Sequence, residues 1–271
     1  MNNKKRIIPL QGVLNARDLG GLPLKNNKKV KKNTIIRSGR ISNPTESDKI
    51  TLVNLWNVTR IIDIRNNQEI KEYPDVKLEG TVYQQVSILP GEKEGISRED
   101  YGMDKVEIAI VRAKKFLKGN GAKDLLESMY SQMATDEYCI KKMKEFFNII
   151  LNHEEGAFLW HCTSGKDRTG ITAALLLHVL GADMETIKSD YLYTNIQNKN
   201  YRENLLEMMR EKGASEEEVN EICILESVDW GYVNSFIKTI EKKYGSVDDF
   251  LENKIGLTSK KQEILINKYT E

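Results

Sequence analysis

The chain has few of the residues from which disulfide frameworks and metal sites are built. Among its 271 residues there are three cysteines and three histidines. Cys139, Cys162 and Cys223 are odd in number and far apart, which argues against a disulfide framework and favours a reducing compartment. The histidines His153, His161 and His178 form no zinc-ligand spacing with them. The sequence therefore predicts a protein without a metal or another cofactor.

Long apolar runs and an excess of one charge are also missing. No segment approaches the ~20 apolar residues of a membrane-spanning helix, and Pro9 follows directly after Ile7 and Ile8, so the apolar core of a secretory signal is absent. The 41 basic and 40 acidic residues nearly cancel, which gives no general attraction to nucleic acid or acidic lipid. We expect no nucleic-acid partner and no stable membrane insertion. The protein is then cytoplasmic, or exported without a recognisable signal peptide; its oligomeric state is left open.

The chain instead contains strand and helix patterns in alternation. Runs rich in β-branched residues predict strands at 34–37, 58–64 and 81–86, and the apolar run 156–160 suits a strand buried on both faces. Apolar stripes predict helices at 104–118 and 136–151, and a buried helix runs from Arg168 to Leu180, closed by Gly181. After Asp183 helix follows helix, with breaks at four glycines: Gly213, Gly231, Gly245 and Gly256.

These patterns predict an α/β fold with a central, largely parallel sheet flanked by helices and a helical C-terminal extension. We interpret residues 1–271 as a single domain. Its catalytic α/β core covers about residues 1–182, and an integrated helical part covers about residues 183–271.

The segment that carries chemistry is WHCTSGKDRTG, residues 160–170, between the buried strand and the buried helix. Open α/β sheets bind ligands off the carboxyl ends of their strands. A tight loop into a helix N-terminus points consecutive backbone N–H groups into one concavity, which makes an anion site. Its predicted ligand-binding residues are Thr163, Ser164, Gly165, Lys166, Thr169 and Gly170. His161 is expected to brace the loop by hydrogen bonding to backbone.

Cys162 stands at the head of this loop and Arg168 six residues later, so a curled loop returns the guanidinium to its rim. A helix N-terminus and nearby cations lower a thiol pKa from about 8.5 to about 3.5–7.5. Arg168 can bind two phosphate oxygens at once and offset charge in the transition state. The Thr169 hydroxyl can stabilise the thiolate. The pattern predicts that Cys162 attacks a phosphate monoester held by residues 162–168, which we call the phosphate loop.

Residues 161–170 resemble the signature of the protein tyrosine phosphatase superfamily. The GKDRTG portion is similar to the bacterial branch that contains the mycobacterial tyrosine phosphatase B and related lipid phosphatases. Further segments agree with this branch: NARDLGG at 15–21, RSG at 37–39, IDIR at 62–65 with Glu69, DYLYTN at 190–195 and YGS at 244–246. The resemblance covers nearly the whole chain, although segment 91–135 shows no family motif.

The resemblance implies metal-free hydrolysis in two steps through a phosphocysteine. It also implies activity on phosphotyrosine, with phosphoserine, phosphothreonine or phosphoinositides as additional substrates. The partner is then a phosphorylated protein or a phosphoinositide. Lys166 would be a further cation for polyanionic headgroups, or else a solvated surface lysine.

The leaving oxygen needs a proton, and a positioned acid contributes about 10²–10⁴-fold to the rate. In the bacterial branch that this sequence resembles, the residue at the position of Asp167 is regarded as the general acid. The resemblance therefore makes Asp167 the first candidate. Asp63, at the end of a predicted strand, is the second; its structural alternative is an ion pair with Arg65 or Arg17. Arg17 and Asp18 are expected to form a partly buried structural pair beside the site.

Two other functions remain open at this stage. A sulfurtransferase also places a cysteine at the head of an anion-binding loop. Such a loop needs neither an acid nor an arginine at the positions of Asp167 and Arg168. A catalytically weak phospho-ligand-binding module would not need Cys162, Arg168, Thr169 and an acid together. Segment 91–135, which has several glycines around one helix, is hypothesised to be a mobile cover over the site.

Overall fold

A computed structural model describes residues 6–90 and 104–271, and its centre is a five-stranded sheet in the order β1-β2-β5-β3-β4. β1 pairs antiparallel with β2, and every other neighbouring pair is parallel. The largely parallel α/β sheet predicted from the sequence is confirmed. The strands are Arg17–Asp18 (β1), Ile35–Ser38 (β2), Val58–Asp63 (β3), Val82–Gln85 (β4) and Ala157–His161 (β5).

Helices flank this sheet and make up the C-terminal part. They are Glu46–Ile50 (α1), Asn67–Glu72 (α2), Lys105–Lys118 (α3), Gly121–Thr135 (α4), Glu137–Leu151 (α5), Asp167–Val179 (α6), Met184–Gln197 (α7), Lys199–Glu211 (α8), Glu216–Glu226 (α9), Trp230–Tyr244 (α10), Val247–Phe250 (α11) and Ser259–Tyr269 (α12). Among the described residues, no helix is both long and apolar enough to cross a membrane.

Side-chain capping sets the starts of the helices predicted at 104–118 and 136–151. The Asp104 carboxylate accepts hydrogen bonds from two first-turn N–H groups of α3, and the Asp136 carboxylate accepts one from the Cys139 N–H of α5. Gly213, Gly245 and Gly256 follow helices with positive φ, as expected of helix ends. The predicted break at Gly231 is wrong. Gly231 lies in the first turn of α10, where its N–H donates to the capping Asp229.

The alternation of side chains along β5 divides the interior between the two sheet faces. Phe158 and Trp160 point into the larger core, whereas Ala157 and Leu159 point into a smaller one behind the sheet. The Trp160 indole N–H donates to the Thr172 hydroxyl at 2.9 Å. This bond ties β5 to α6, the two elements between which the phosphate loop lies.

The C-terminal helices pack into the same core as the sheet. Val233 and Phe236 of α10 belong to the large cluster that also contains Phe158. The chain end returns to the N-terminal region, where the Lys31 N–H donates to the Tyr269 carbonyl at 2.8 Å. This shared core supports the single-domain prediction, which stays a prediction.

The hypothesised cover falls only partly on the described structure, because residues 91–103 lie outside it. α3 packs with α8 and α9 in a third cluster. α4 buries Leu126, Tyr130 and Met133 in the main core. The packing of α4 therefore does not fit a mobile cover.

A buried ion cluster joins α7 to the N-terminal strands. The Asp190 carboxylate lies 3.1 Å from Arg6, 3.0 Å from Arg17 and 2.7 Å from Arg37. Burial alone would raise the pKa of Asp190, but the three guanidinium charges outweigh it and hold this pKa far below its usual range. The carboxylate therefore stays ionised and neutralises part of the buried positive charge.

The predicted Arg17–Asp18 pair is not formed in the described structure, and both side chains are buried rather than half-buried. Arg17 pairs with Asp190, and Asp18 instead accepts hydrogen bonds from the Gly20 and Asn33 N–H groups, each at 2.9 Å. The reason is the pleat, because adjacent residues of a strand point to opposite faces and cannot meet.

We expect Asp190→Ala to lower the free energy of unfolding by about 3–5 kcal/mol, because it leaves buried guanidinium groups uncompensated. Urea denaturation at neutral pH measures this loss. The contribution should persist down to about pH 3.9 and disappear only as the pH falls further, since the folded-state pKa is depressed.

The matched control is Asp248→Ala, which breaks an ion pair with His178 whose carboxylate is 76% exposed. This change should cost less than about 1 kcal/mol. Equal stabilities of the two variants would show that the cluster does not stabilise the fold.

Candidate active site

The phosphate loop lies at the carboxyl ends of three parallel strands. β5 ends at His161 and α6 begins at Asp167, so five residues form the turn. The Arg40 N–H, just beyond β2, donates to the Thr163 carbonyl at 3.1 Å. On the other side, the Ile64 N–H beyond β3 donates to the His161 carbonyl at 2.9 Å. Both neighbouring strands thus fix the base of the loop.

Gly165 adopts the left-handed region with φ of +64°. A Cβ at this position would lie 2.4 Å from the Ser38 carbonyl oxygen, so a side chain has no room. The Gly165 carbonyl accepts hydrogen bonds from Arg37 Nη2 at 2.9 Å and from Asn15 Nδ2 at 2.8 Å. Because C=O and N–H of a trans peptide point in opposite directions, the next N–H, that of Lys166, faces the other side of the loop.

The loop amides are available to a ligand. Within the described residues, no hydrogen bond is donated by the backbone N–H groups of Thr163, Ser164, Gly165 and Lys166. Consecutive free N–H groups at the start of α6 form an anion-binding concavity. Gly170 lies inside α6, where a Cβ would meet the Tyr191 ring at 2.8 Å, so its glycine serves helix packing.

Cys162 is 3% exposed at the head of the loop. Burial alone would raise its pKa, but the Arg168 charge and hydrogen bonds from Thr169 outweigh burial and bring the pKa of the thiol below its usual value. The Thr169 hydroxyl is buried without an oxygen or nitrogen partner among the described residues, which leaves its proton for the sulfur. The sulfur is therefore buried but electrostatically activated.

Arg168 is held in place by Glu69. Its Nη1 and Nη2 donate to the two carboxylate oxygens of Glu69, each at 2.6 Å, and the Thr163 hydroxyl also donates to this carboxylate. Burial would raise the pKa of Glu69, but Arg168 and these hydrogen bonds lower it to about 2. The two-point contact fixes the guanidinium plane at the loop rather than leaving it in solvent.

Asp167 lies at the start of α6 between a cation and a phenol. Lys166 Nζ is 2.8 Å from its Oδ2 and 3.1 Å from its Oδ1, and the Tyr130 hydroxyl donates to Oδ1 at 2.9 Å. Lys166 is 4% exposed and also donates to the Ser227 carbonyl at 3.2 Å. It is therefore not a solvated surface lysine. The Tyr130 hydroxyl in turn lies 2.7 Å from that of Tyr191.

Asp63 is completely buried at the end of β3. It accepts hydrogen bonds from Arg65 Nε at 2.9 Å and Nη2 at 2.7 Å, and also from the Tyr83 hydroxyl. Burial would raise the pKa of Asp63, but His161, Arg65 and Tyr83 lower it. Asp63 thus forms an ion pair with Arg65, which is the structural role expected of it if it is not the general acid.

His161 joins the loop to the same ionic cluster. Its Nδ1 lies 3.1 Å from the Cys162 carbonyl oxygen, and its Nε2 lies 2.8 Å from Asp75 Oδ2. Burial would lower the pKa of His161, but Asp75 and Asp63 raise it. The protonated ring can therefore bridge the Cys162 carbonyl and a carboxylate, which is a bracing geometry.

Asp63, Asp75 and His161 bring potential metal-ligand atoms within 4.8 Å of one another. However, Arg65 Nη2 lies 2.7 Å from Asp63 and 3.0 Å from Asp75. The guanidinium thus supplies the cation that balances these carboxylates. We interpret the cluster as an ion-pair network.

Several residues that shape the site had no role assigned from the sequence. Asn15, Arg37 and Asp190 lie in segments that resemble motifs of the family. Their spacing along the chain does not indicate that they contact the phosphate loop or one another. Tyr130 and Asp75 lie in segments without a motif. Their positions depend on contacts between residues far apart in sequence, such as Arg37 and Gly165.

We expect Gly165→Ala to abolish binding of inorganic phosphate by the loop, because the new Cβ collides with the Ser38 carbonyl. Isothermal titration calorimetry measures the binding. Gly80→Ala is the control: Gly80 has a φ of +75° but no atom within 4 Å of the added Cβ. Both substitutions carry the cost of positive φ, about 1–2 kcal/mol, and only the first meets a steric barrier. Retained binding in Gly165→Ala would contradict this reading of the loop.

Comparison with known proteins agrees with this geometry. A family model described as the tyrosine phosphatase family matches residues 8–271. A protein of Cupriavidus necator, named as a candidate tyrosine-protein phosphatase, is 26% identical over 255 residues, covering 89% of this chain and 81% of that protein.

Two further relatives match shorter regions. A tyrosine-protein phosphatase of Nostoc commune is 28% identical over 158 residues, which cover 58% of this chain and 46% of the relative. A triple specificity protein phosphatase of Mycobacterium tuberculosis is 30% identical over 103 residues, which cover 35% of this chain and 37% of the relative. Because the family match extends over nearly the whole chain, the protein belongs to the tyrosine phosphatase family and is a phosphoric monoester hydrolase.

Proposed function

We propose that this phosphatase hydrolyses phosphotyrosine, and in addition phosphoserine, phosphothreonine or phosphoinositide monoesters, through a phosphocysteine formed on Cys162. The observation that carries the proposal is an activated thiol in one loop with a fixed arginine and with four backbone N–H groups that donate to no described residue. The family assignment disfavours the sulfurtransferase and the binding-module alternatives.

In the first step the Cys162 thiolate attacks phosphorus, and the bond from phosphorus to the ester oxygen breaks. The loop amides and the Arg168 guanidinium bind the non-bridging oxygens and offset their charge in the transition state. A carboxylic acid delivers its proton to the leaving oxygen. The product alcohol or phenol then departs, and the phosphoryl group stays on the sulfur.

In the second step water attacks the phosphocysteine. The same carboxylate accepts a proton from the water, the sulfur–phosphorus bond breaks, and the thiolate leaves. The Thr169 hydrogen bond that lowers the Cys162 pKa also stabilises this leaving thiolate. The reaction uses the side chains and backbone amides of the phosphate loop, the Thr169 hydroxyl and one water molecule.

We assign the acid to Asp167. It lies next to Arg168 at the start of α6, and its side chain is 17% exposed, so the carboxylate is open to solvent on the side of the loop that would bind the ester. A phosphate in the loop offers Lys166 a second anionic partner, which weakens the hold of Lys166 on the carboxylate. Asp63, by contrast, is completely buried against Arg65, and its pKa is lowered, which keeps it unprotonated.

Cys162→Ser should lose turnover of every substrate while still binding phosphate, because the alcohol is not ionised by the surrounding charges. The test is a parallel panel of phosphotyrosine, phosphoserine and phosphoinositide substrates with wild type and variant. Turnover by Cys162→Ser would contradict the covalent mechanism. The panel also ranks the substrate classes.

Cys139 is the internal control. It is buried in α5. Burial, and to a smaller extent the Asp136 carboxylate, raise the pKa of its thiol to about 12. Iodoacetamide should therefore modify Cys162 and not Cys139 at pH values below about 8.5. The rate at Cys162 should fall only once the pH passes below its lowered pKa, and inorganic phosphate should protect it.

Asp167→Asn should reduce kcat by about 10²–10⁴-fold for phenyl phosphate, whose leaving group needs protonation, and by less for p-nitrophenyl phosphate. Asp63→Asn is the comparison, with its stability measured separately. The assignment is wrong if Asp167→Asn keeps its turnover of both esters while a folded Asp63→Asn loses it.

A further inference from the structure

Two buried tyrosine hydroxyls lead from the core to the carboxylate of Asp167. The Tyr130 hydroxyl donates to Asp167 Oδ1 at 2.9 Å, and it lies 2.7 Å from the Tyr191 hydroxyl. Both tyrosines are buried, whereas the Asp167 side chain is 17% exposed. The two hydroxyls therefore contact the carboxylate from the protein interior.

The direction of both hydrogen bonds follows from the chemistry of the partners. As the ion-pair partner of Lys166, the Asp167 carboxylate can only accept. Tyr130 has one hydroxyl proton and donates it to Asp167, so its oxygen accepts the proton of Tyr191. Burial, followed by the Asp167 charge, raises the pKa of both tyrosine hydroxyls well above the usual value, which keeps them protonated. The hydrogen bonds thus run from Tyr191 through Tyr130 to Asp167.

The Tyr191 ring has a defined position. Asp190, the preceding residue of α7, is held by three arginine side chains. Gly170 of α6 leaves room for the ring, because a Cβ at Gly170 would lie 2.8 Å from a carbon of the Tyr191 ring. The Trp230 ring contacts the Tyr191 ring at an edge, with 6.2 Å between the ring centres. The Tyr191 hydroxyl can therefore orient that of Tyr130.

The two carboxylate oxygens of Asp167 differ in their contacts. Oδ1 accepts from Tyr130 and also lies 3.1 Å from Lys166 Nζ. Among the described residues, Oδ2 contacts Lys166 alone, at 2.8 Å. A carboxylate oxygen has about two acceptor sites, so both sites of Oδ1 are occupied and one site of Oδ2 is free. A proton taken up by Asp167 therefore belongs on Oδ2.

We propose that Tyr130, supported by Tyr191, is a positioning residue that orients Asp167 so that Oδ2 carries the proton and delivers it to the leaving oxygen. The inference rests on the proposed function, in which Asp167 is the acid. In the first step the bond from phosphorus to the ester oxygen breaks, and the proton moves from Oδ2 to that oxygen. Tyr130 keeps its own proton throughout and acts only through Asp167.

Packing alone does not explain the hydroxyl of Tyr130. Its ring lies against that of Tyr232, with 5.5 Å between the ring centres. A phenylalanine would supply the same ring contact without the cost of burying a polar group. Among the described residues, the Tyr130 hydroxyl has no hydrogen-bond partner besides Asp167 and Tyr191. The hydroxyl therefore acts on the carboxylate.

The test is Tyr130→Phe, assayed with phenyl phosphate and with 2,4-dinitrophenyl phosphate, whose leaving group departs without a proton. We measure kcat/KM, which includes the step that forms the phosphocysteine. The variant should lose about 10- to 100-fold with phenyl phosphate, because a misplaced acid transfers its proton poorly. It should change little with the dinitrophenyl ester. Equal losses with both esters would overturn the proposal, since a general structural defect does not distinguish the leaving groups.

Tyr191→Phe is the second variant. It should show the same dependence on the leaving group with a smaller loss, because Tyr130 still donates to Asp167. Tyr269→Phe is the matched control, since it removes a buried hydroxyl that donates to the Ile150 carbonyl at 2.9 Å, outside the site. It should keep the wild-type kcat/KM with both esters. Thermal unfolding shows that each variant is folded, and a loss confined to phenyl phosphate in Tyr269→Phe would contradict the role of Tyr130.

A double-mutant cycle separates this inference from the proposed function. In an Asp167→Asn background, Tyr130→Phe should slow turnover of phenyl phosphate by no more than about twofold, because the residue through which it acts is gone. Losses that multiply would overturn the positioning role and leave Asp167 as the acid. If Asp167→Asn keeps its turnover, the acid assignment fails, and this inference fails with it. A wild type that turns over no phosphate ester overturns the proposed function itself.

Discussion

The buried carboxylate of Asp190 lies among three arginine side chains, and the backbone of the phosphate loop depends on two of these. Arg37 contacts Asp190 and the Gly165 carbonyl at once. Arg17 contacts Asp190 and Asn15, and Asn15 reaches the same carbonyl. Without a negative charge at Asp190, the guanidinium groups would repel one another in the interior, and the carbonyl would lose its two donors.

This support explains how an anion site can exist next to an apolar core. The Gly165 carbonyl is held on the side away from the ligand, so the amide that follows it points toward the ligand. Contacts with residues outside the loop stabilise the chain in this turned conformation. The loop residues themselves are then left with free N–H groups for phosphate.

Each cationic side chain of the loop has an anionic partner of its own. Arg168 is paired with Glu69, and Lys166 with Asp167. These pairs fix the geometry before a substrate arrives, which avoids the cost of ordering long side chains during the reaction. Arg40, which lies just outside the loop, forms no ion pair with a described residue and instead stacks on the Tyr73 ring, with 4.0 Å between its guanidinium carbon and the ring centre.

The sequence alone determined the parallel sheet, the helices with clear stripes and the position of the loop between β5 and α6. These features depend on local periodicity and on a motif of consecutive residues. It did not reveal β1, because two residues are too few to form a pattern, and it misjudged Gly231, which starts a helix rather than ending one.

The tertiary structure decided which charges meet. Adjacent Arg17 and Asp18 suggested a pair, yet the strand separates them, and Asp190 receives the arginine from far along the chain. Burial of Asp63 against Arg65, and of Lys166 against Asp167, was likewise set by packing. Sequence spacing determines local geometry, whereas long-range ion pairs depend on how the elements pack, and no local pattern encodes that arrangement.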